Sequence, residues 1–301
     1  MKNIDFVANR WKYVLLPAII IVAGIVFMIM HGGFNYDIEF LGGTRMQMDL
    51  GASYDNDELA KYIQDQTGVK VTIQKTAMDT QAIIKTPPID DAQKNSIVEA
   101  IKTKFSVDDS ALKSVSTASA SFGAEVQRKT LIYALIAILC ILIYIAIRFE
   151  WISAIMAIIG LAINVAVMYA VYAITNIAMN TTFIAAMLTV IGYSINNTIV
   201  IFDRIRENMR QFNAKKDSIA NVVNRSISES MGRTINSTIT TLITIVLLYI
   251  IGVTAIKEFA LPLIIGIVIG AYTSIFIAGT FWAVWKQSKK NAKAVAANKK
   301  K

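Results

Sequence analysis

Six long apolar runs constrain this chain more than any other feature: Tyr13 to Met30, Thr130 to Ile147, Ile152 to Ile174, Thr182 to Phe202, Thr234 to Ile251 and Phe259 to Trp285. A bilayer core of about 30 Å takes roughly 20 apolar residues per helical crossing. No soluble core needs so many uninterrupted runs of that length. The 301 residues are 55% hydrophobic and 17% charged, against about 25% charged in an ordinary soluble domain. Nearly all of that charge lies in blocks between the runs. Lys2, Arg10 and Lys12 precede the first run, as they would a signal peptide. Its 18 residues and the lack of an A-x-A site after it read instead as an uncleaved signal anchor.

Basic residues in short connections stay on the cytoplasmic side. With six crossings both termini share one side. If that side is cytoplasmic it holds 18 Lys and Arg against six acids, and the opposite side holds 12 against 15. The expected order is a cytoplasmic arm over 1–12, a first helix over 13–30, an external domain over 31–129, a five-helix bundle over 130–285 with a cytoplasmic loop at 203–233, and a basic tail over 286–301. The tail, low in complexity, is expected to be disordered. It could bind anionic lipid or ribosomal RNA, but a solvated topology anchor is the plainer reading, and no specific nucleic-acid partner is expected.

The external segment is long enough for one small domain. Residues Arg45 to Leu50 alternate as a strand does. Ser53 or Asp55 can cap a helix reaching about Gln66, which Gly68 stops. Strands are expected at Val69 to Lys75 and Thr80 to Thr86. Asp90 and Asp91 open an amphipathic helix that runs to Phe105, with a last strand near Leu112 to Ala118. The order β-α-β-β-α-β defines a ferredoxin-like α+β sandwich. It carries no phosphate loop, catalytic triad, metal-ligand cluster or carboxylate dyad, so binding or mechanical work is expected rather than catalysis, with no cofactor and no metal. Cys140, the only cysteine, and His31, the only histidine, read as a packing residue and a helix-end residue.

Two segments go beyond generic membrane chemistry. One is Tyr36-Asp-Ile-Glu-Phe-Leu-Gly-Gly-Thr44; the other runs from Ile191 through Gly-Tyr-Ser-Ile-Asn-Asn-Thr-Ile-Val-Ile-Phe-Asp-Arg-Ile-Arg-Glu to Asn208. Together with Arg148-Phe-Glu-Trp151 they resemble the SecF-type chains of the SecD/SecF family, within the resistance-nodulation-division superfamily. The resemblance covers nearly the whole chain. It implies half of a pseudo-symmetric twelve-helix bundle, with a SecD-like partner supplying the rest. It also implies an accessory role beside a SecYEG channel, drawing translocating preproteins outward on the proton-motive force. A stand-alone ion-driven exporter of small molecules or lipids is the competing reading. The half-sized bundle and the small external domain weigh against it.

Several positions carry specific expectations. Gly42 and Gly43 could form a hinge or a plain tight turn. Asp203, Arg204, Arg206, Glu207 and Asn208 fall at helical spacing where the fourth run ends. They could anchor that end at the interface, with Asp203–Arg206 and Glu207–Arg210 as i,i+3 pairs, or form a docking surface. Gly266, Gly270, Ser274 and Ala278 place a small residue at every fourth position, which lets helix backbones approach; Gly192 is a further packing position. Ser237, Thr238, Thr240, Thr241 and Thr244 give the fifth run hydroxyls that bond to their own backbone or across helices.

Asn164, Asn196 and Asn197 are polar at membrane depth, where such groups are costly and face the bundle interior. The resemblance implies an aspartate at or near Asn164 and often at Asn197. An amide cannot carry a proton, and no Asp, Glu, Lys, Arg or His lies deep in any run. Three readings stay open: a partner that holds the titrating groups, which is preferred; coupling to another ion, or weak coupling; or amides that simply hold the bundle together.

Overall fold

The computed structural model describes residues 5–76, 80–148, 150–213 and 217–298. The chain divides into two compact units, one drawn from 1–34, 134–177 and 182–301, the other from 35–133 and 178–181.

The first unit is helical. Six helices are long and apolar enough to cross a membrane: α1 (Arg10–Met30), then, after a short α2 (Ile38–Leu41), α3 (Asn56–Thr67) and α4 (Asp91–Phe105) of the second unit, α5 (Ala120–Arg148), α6 (Trp151–Thr175), α7 (Thr181–Arg210), α8 (Ile219–Ile251), and finally α9 (Thr254–Thr273), which a five-residue π segment, Ser274–Ala278, joins to α10 (Gly279–Asn298). Small residues set the closest approaches. A Cβ at Gly24 of α1 would lie 2.4 Å from the Cβ of Ala170 in α6, and one at Gly266 of α9 would lie 2.5 Å from Val190 of α7. Glycine at these sites is what brings the helices together.

Two expectations are corrected here. The segment 203–233 is mostly not a loop: α7 runs on to Arg210 and α8 starts at Ile219. Ile205, Asn208, Ile219, Val222, Val223, Ser226 and Ile227 are all buried, so the helix ends gain a packed face beyond the apolar runs and stay wound. The tail is helical to Asn298 rather than disordered, as its Lys and Ala content favours. The N-terminal arm is also packed. Phe6 is buried, and the Asp5 carboxylate accepts from Ala8 N and Asn224 Nδ2, each at 2.9 Å. These bonds, the Ala8 N–H foremost, hold the Asp5 carboxyl below its ordinary range.

The second unit is the expected sandwich. Strands β1 (Gly43–Asp49), β2 (Thr72–Lys75), β3 (Gln81–Thr86) and β4 (Leu112–Ala118) form one antiparallel sheet in the order β2-β3-β1-β4. Thr44 pairs with Thr86 on one side and Thr117 on the other. Met46, Met48, Ala82 and Ile84 of the sheet form one core with Leu59 and Ile63 of α3 and Ile97 and Ile101 of α4. Asp55, not Ser53, caps α3 by accepting from Asp57 N and Glu58 N. Asp90 and Gln93 close a reciprocal capping box on α4. β2 starts at Thr72 rather than Val69, although Val69 and Val71 remain buried.

Candidate functional site: a polar cluster at the centre of the bundle

The polar residues of the apolar runs converge on one place. Asn164 of α6 is fully buried, as are Ser194, Asn197 and Thr198 of α7 and Thr273 and Ser274 at the end of α9. Ser274 Oγ lies 2.8 Å from Thr198 Oγ1 and donates to Ser194 O at 3.3 Å. Gly270 makes this possible, since a Cβ there would sit 2.9 Å from Asn164 Nδ2 and 3.0 Å from Ser194 Oγ. The π segment begins at Ser274 itself, and such bulges gather at functional sites. The hydroxyls of Thr198, Thr273 and Ser274 find partners in one another or in backbone carbonyls, whereas the amides do not. Asn164 Nδ2 and Oδ1 and Asn197 Nδ2 are buried without a partner among the described residues. An unmet buried polar group costs about 1–3 kcal/mol, so these amides are a standing expense at the middle of the bundle. Ser194 and Thr198 were not singled out from sequence; their spacing of four beside Asn197 was the available signal.

Asn196 departs from the inward-facing expectation. It is exposed, as are Thr189 and Gly192 on the same stripe of α7. A Cβ at Gly192 would meet nothing within 4 Å, so among the described residues Gly192 packs no neighbouring helix. Beside the stripe, Tyr193 Oη donates to Ser237 O of α8 at 3.1 Å. Ser237 and Thr238 bond back to Thr234 O, and Thr240 and Thr241 to Ser237 O. An amide and small residues thus look outward at membrane depth.

The Asp203–Asn208 motif fastens the ends of α7 and α8. Arg204 reaches Glu207 and Glu229, both at 2.6 Å. Asn208 Nδ2 donates to Ser226 Oγ at 3.0 Å and to Glu229 Oε2 at 2.8 Å. Glu207 therefore turns back to Arg204 and not on to Arg210. Glu229, a lone acid in a basic stretch, is the partner that sequence reading missed.

The Tyr36–Thr44 motif lies in the second unit. Asp37 is buried, caps α2, and accepts from Lys85 Nζ at 3.0 Å. Glu39 Oε2 accepts from Thr181 N at 2.9 Å and from Thr181 Oγ1 at 2.6 Å, and Asp37 N donates to Met179 O at 2.8 Å. Gly42 and Gly43 have φ of 78° and 139°. Gly43 is the first residue of β1, where a Cβ would lie 2.2 Å from Thr86 O; only glycine fits there.

A six-helix membrane bundle with a ferredoxin-like unit between its first two crossings in the sequence, and hydroxyls and amides at its centre, defines a polytopic membrane protein. The chain belongs to the SecD/SecF family: residues 97–288 match "Protein export membrane protein SecD/SecF, C-terminal". It is 33% identical to the protein translocase subunit SecF of Thermodesulfovibrio yellowstonii, over 92% of each chain. It is 35% identical to that of Alicyclobacillus acidocaldarius, over 93% of this chain and 91% of the relative. The crystal structure of SecDF from Thermus thermophilus, described as a translocon-associated membrane protein, superposes with a TM-score of 0.82 at 28% identity, over 94% of this chain and 39% of that one.

Proposed function

We propose that this chain is an accessory subunit of the Sec protein translocase in the cell membrane, with both termini cytoplasmic. It works with a SecD-like partner beside a SecYEG channel to promote preprotein export on the proton-motive force. The observation that carries this reading is the outward face of α7. Thr189, Gly192 and Asn196 are exposed at membrane depth, where lipid would leave the amide unmet and where small and polar residues mark helix interfaces. A second bundle covering that face supplies what is missing. The near full-length likeness to SecF subunits supports the same reading, as does the correspondence to 39% of a SecDF chain.

Asn164, Asn196 and Asn197 are then the chain's side of the coupling path, a polar seam that orients water and partner side chains without itself titrating. The protons are carried by groups on the partner. Gly42 and Gly43 act as a fixed turn into β1 rather than a free hinge, and Gly266, Gly270 and Ser274 hold the seam closed. In proteoliposomes containing the channel, its motor ATPase and the SecD-like partner, an imposed proton gradient is expected to speed completion of export only when this chain is present. A gradient effect of equal size without the chain contradicts the proposal.

A further inference from the structure

We infer that a cavity of about 640 Å³ at the end of the bundle where α6 begins and α7 ends binds the phosphate of an anionic phospholipid. Its walls come from three helices: Glu150 and Ser153 at the start of α6, Arg206 and Arg210 at the end of α7, and Trp282 and Lys286 of α10. Three cations thus face one carboxylate. Lys286 Nζ binds Glu150 at 2.7 Å and lies 5.4 Å from the centre of the Trp282 ring. Arg206 and Arg210 enter no ion pair among the described residues, and guanidinium groups match phosphate oxygens two at a time.

Two further observations point to an anion. Trp282 is only 4% exposed, yet its Nε1–H has no acceptor among the described residues. An indole N–H normally finds a partner when buried. Glu150 stands at the N-cap of α6 but makes no side-chain cap bond, so the first N–H groups of a 25-residue helix remain available to an oxyanion.

A lipid suits this place better than a free phosphate. The cavity lies where membrane-length helices end, the depth at which basic pockets meet headgroups. Trp151, next to Glu150 in the chain, and Ile147, three residues before it, are 70% and 82% exposed, an apolar flank along which acyl chains can run. The site uses none of the central amides, so its test is independent of the export reading.

The test uses the full chain purified in a mild zwitterionic detergent, with lipid retention read by native mass spectrometry and stability by thermal melting. Phosphatidylglycerol is expected to stay bound and to raise the melting midpoint, while phosphatidylcholine and inorganic phosphate at equal concentration do neither. Removing two cations should weaken retention about 30-fold in R206Q/R210Q, since each charge near a headgroup contributes about fivefold. Trp282→Phe keeps the ring and removes only the N–H, so it reads the site even where the double variant fails to fold. It is expected to lower retention severalfold with helicity unchanged. Equal retention of phosphatidylglycerol by wild type and Trp282→Phe, or of phosphatidylcholine and phosphatidylglycerol by wild type, would overturn the assignment. Stabilisation by inorganic phosphate alone would overturn the lipid as its source.

Discussion

Asn164 is fully buried within α6, and its two amide atoms have no partner among the described residues. Replacing an unmet amide by an apolar group of like shape removes a penalty of about 1–3 kcal/mol. Asn164→Leu is therefore expected to melt higher than wild type while export slows. Normal export by this variant would show that the amide has no functional role. In the second unit Asp49 is held below the ordinary carboxylate range, first by the Gly51 N–H, whose donor lies 3.2 Å from Oδ1. A depressed folded value adds stability above the unfolded value near 3.8, and that stability is lost as pH falls through the folded value. Amide protection along β1 and β3, corrected for the intrinsic exchange rate, should fall below about pH 4, and Asp49→Asn should flatten that fall; an unchanged profile would remove Asp49 from the account. Asn164 and Asn197 were legible in the sequence because a polar side chain stands out in an apolar run. The direction of Asn196 was not. Neighbouring helical positions lie roughly 100° apart, and only packing decides which of the two turns inward.

The ends of α7 and α8 form an element whose strength depends on a buried bond more than on its ion pairs. Arg204 and Glu229 are each about a third exposed, and pairs of that kind contribute about 0–1 kcal/mol. Asn208 is 7% exposed and donates to both Ser226 and Glu229, so its loss strands the buried Ser226 Oγ acceptor at about 1–3 kcal/mol. Asn208→Ala should thus open 203–210 and 219–229 to hydrogen exchange more than Arg204→Gln does. The reverse order would mean the ion pairs dominate. Elements with a strong period were readable: α4 and β1 fall where the apolar stripe and the alternation place them. The four-residue α2 carries too little pattern to read. The helical stretches beyond the apolar runs were hidden because buried Asn208 and Ser226, polar among the buried Ile205, Ile219, Val222, Val223 and Ile227, look like solvent-facing residues until a second helix meets them.

At the scale of the whole molecule, the number of crossings and the sandwich between the first two were legible from run length and strand order alone. What the sequence could not show is which faces are left over once six helices have packed. That remainder, the stripe of Thr189, Gly192 and Asn196, depends on every pairwise approach in the bundle, including those set by Gly24, Gly266 and Gly270. A chain whose central helix keeps a polar outer face is built to work beside another bundle. The direct test is isolation of the tagged chain at native expression in mild detergent, with its partners identified and counted by mass spectrometry. The account predicts a SecD-like chain in equal amount, accompanied by SecYEG-like channel subunits, and loss of the SecD-like chain when Asn196 is replaced by arginine. Recovery of the chain alone or bound only to copies of itself would contradict it.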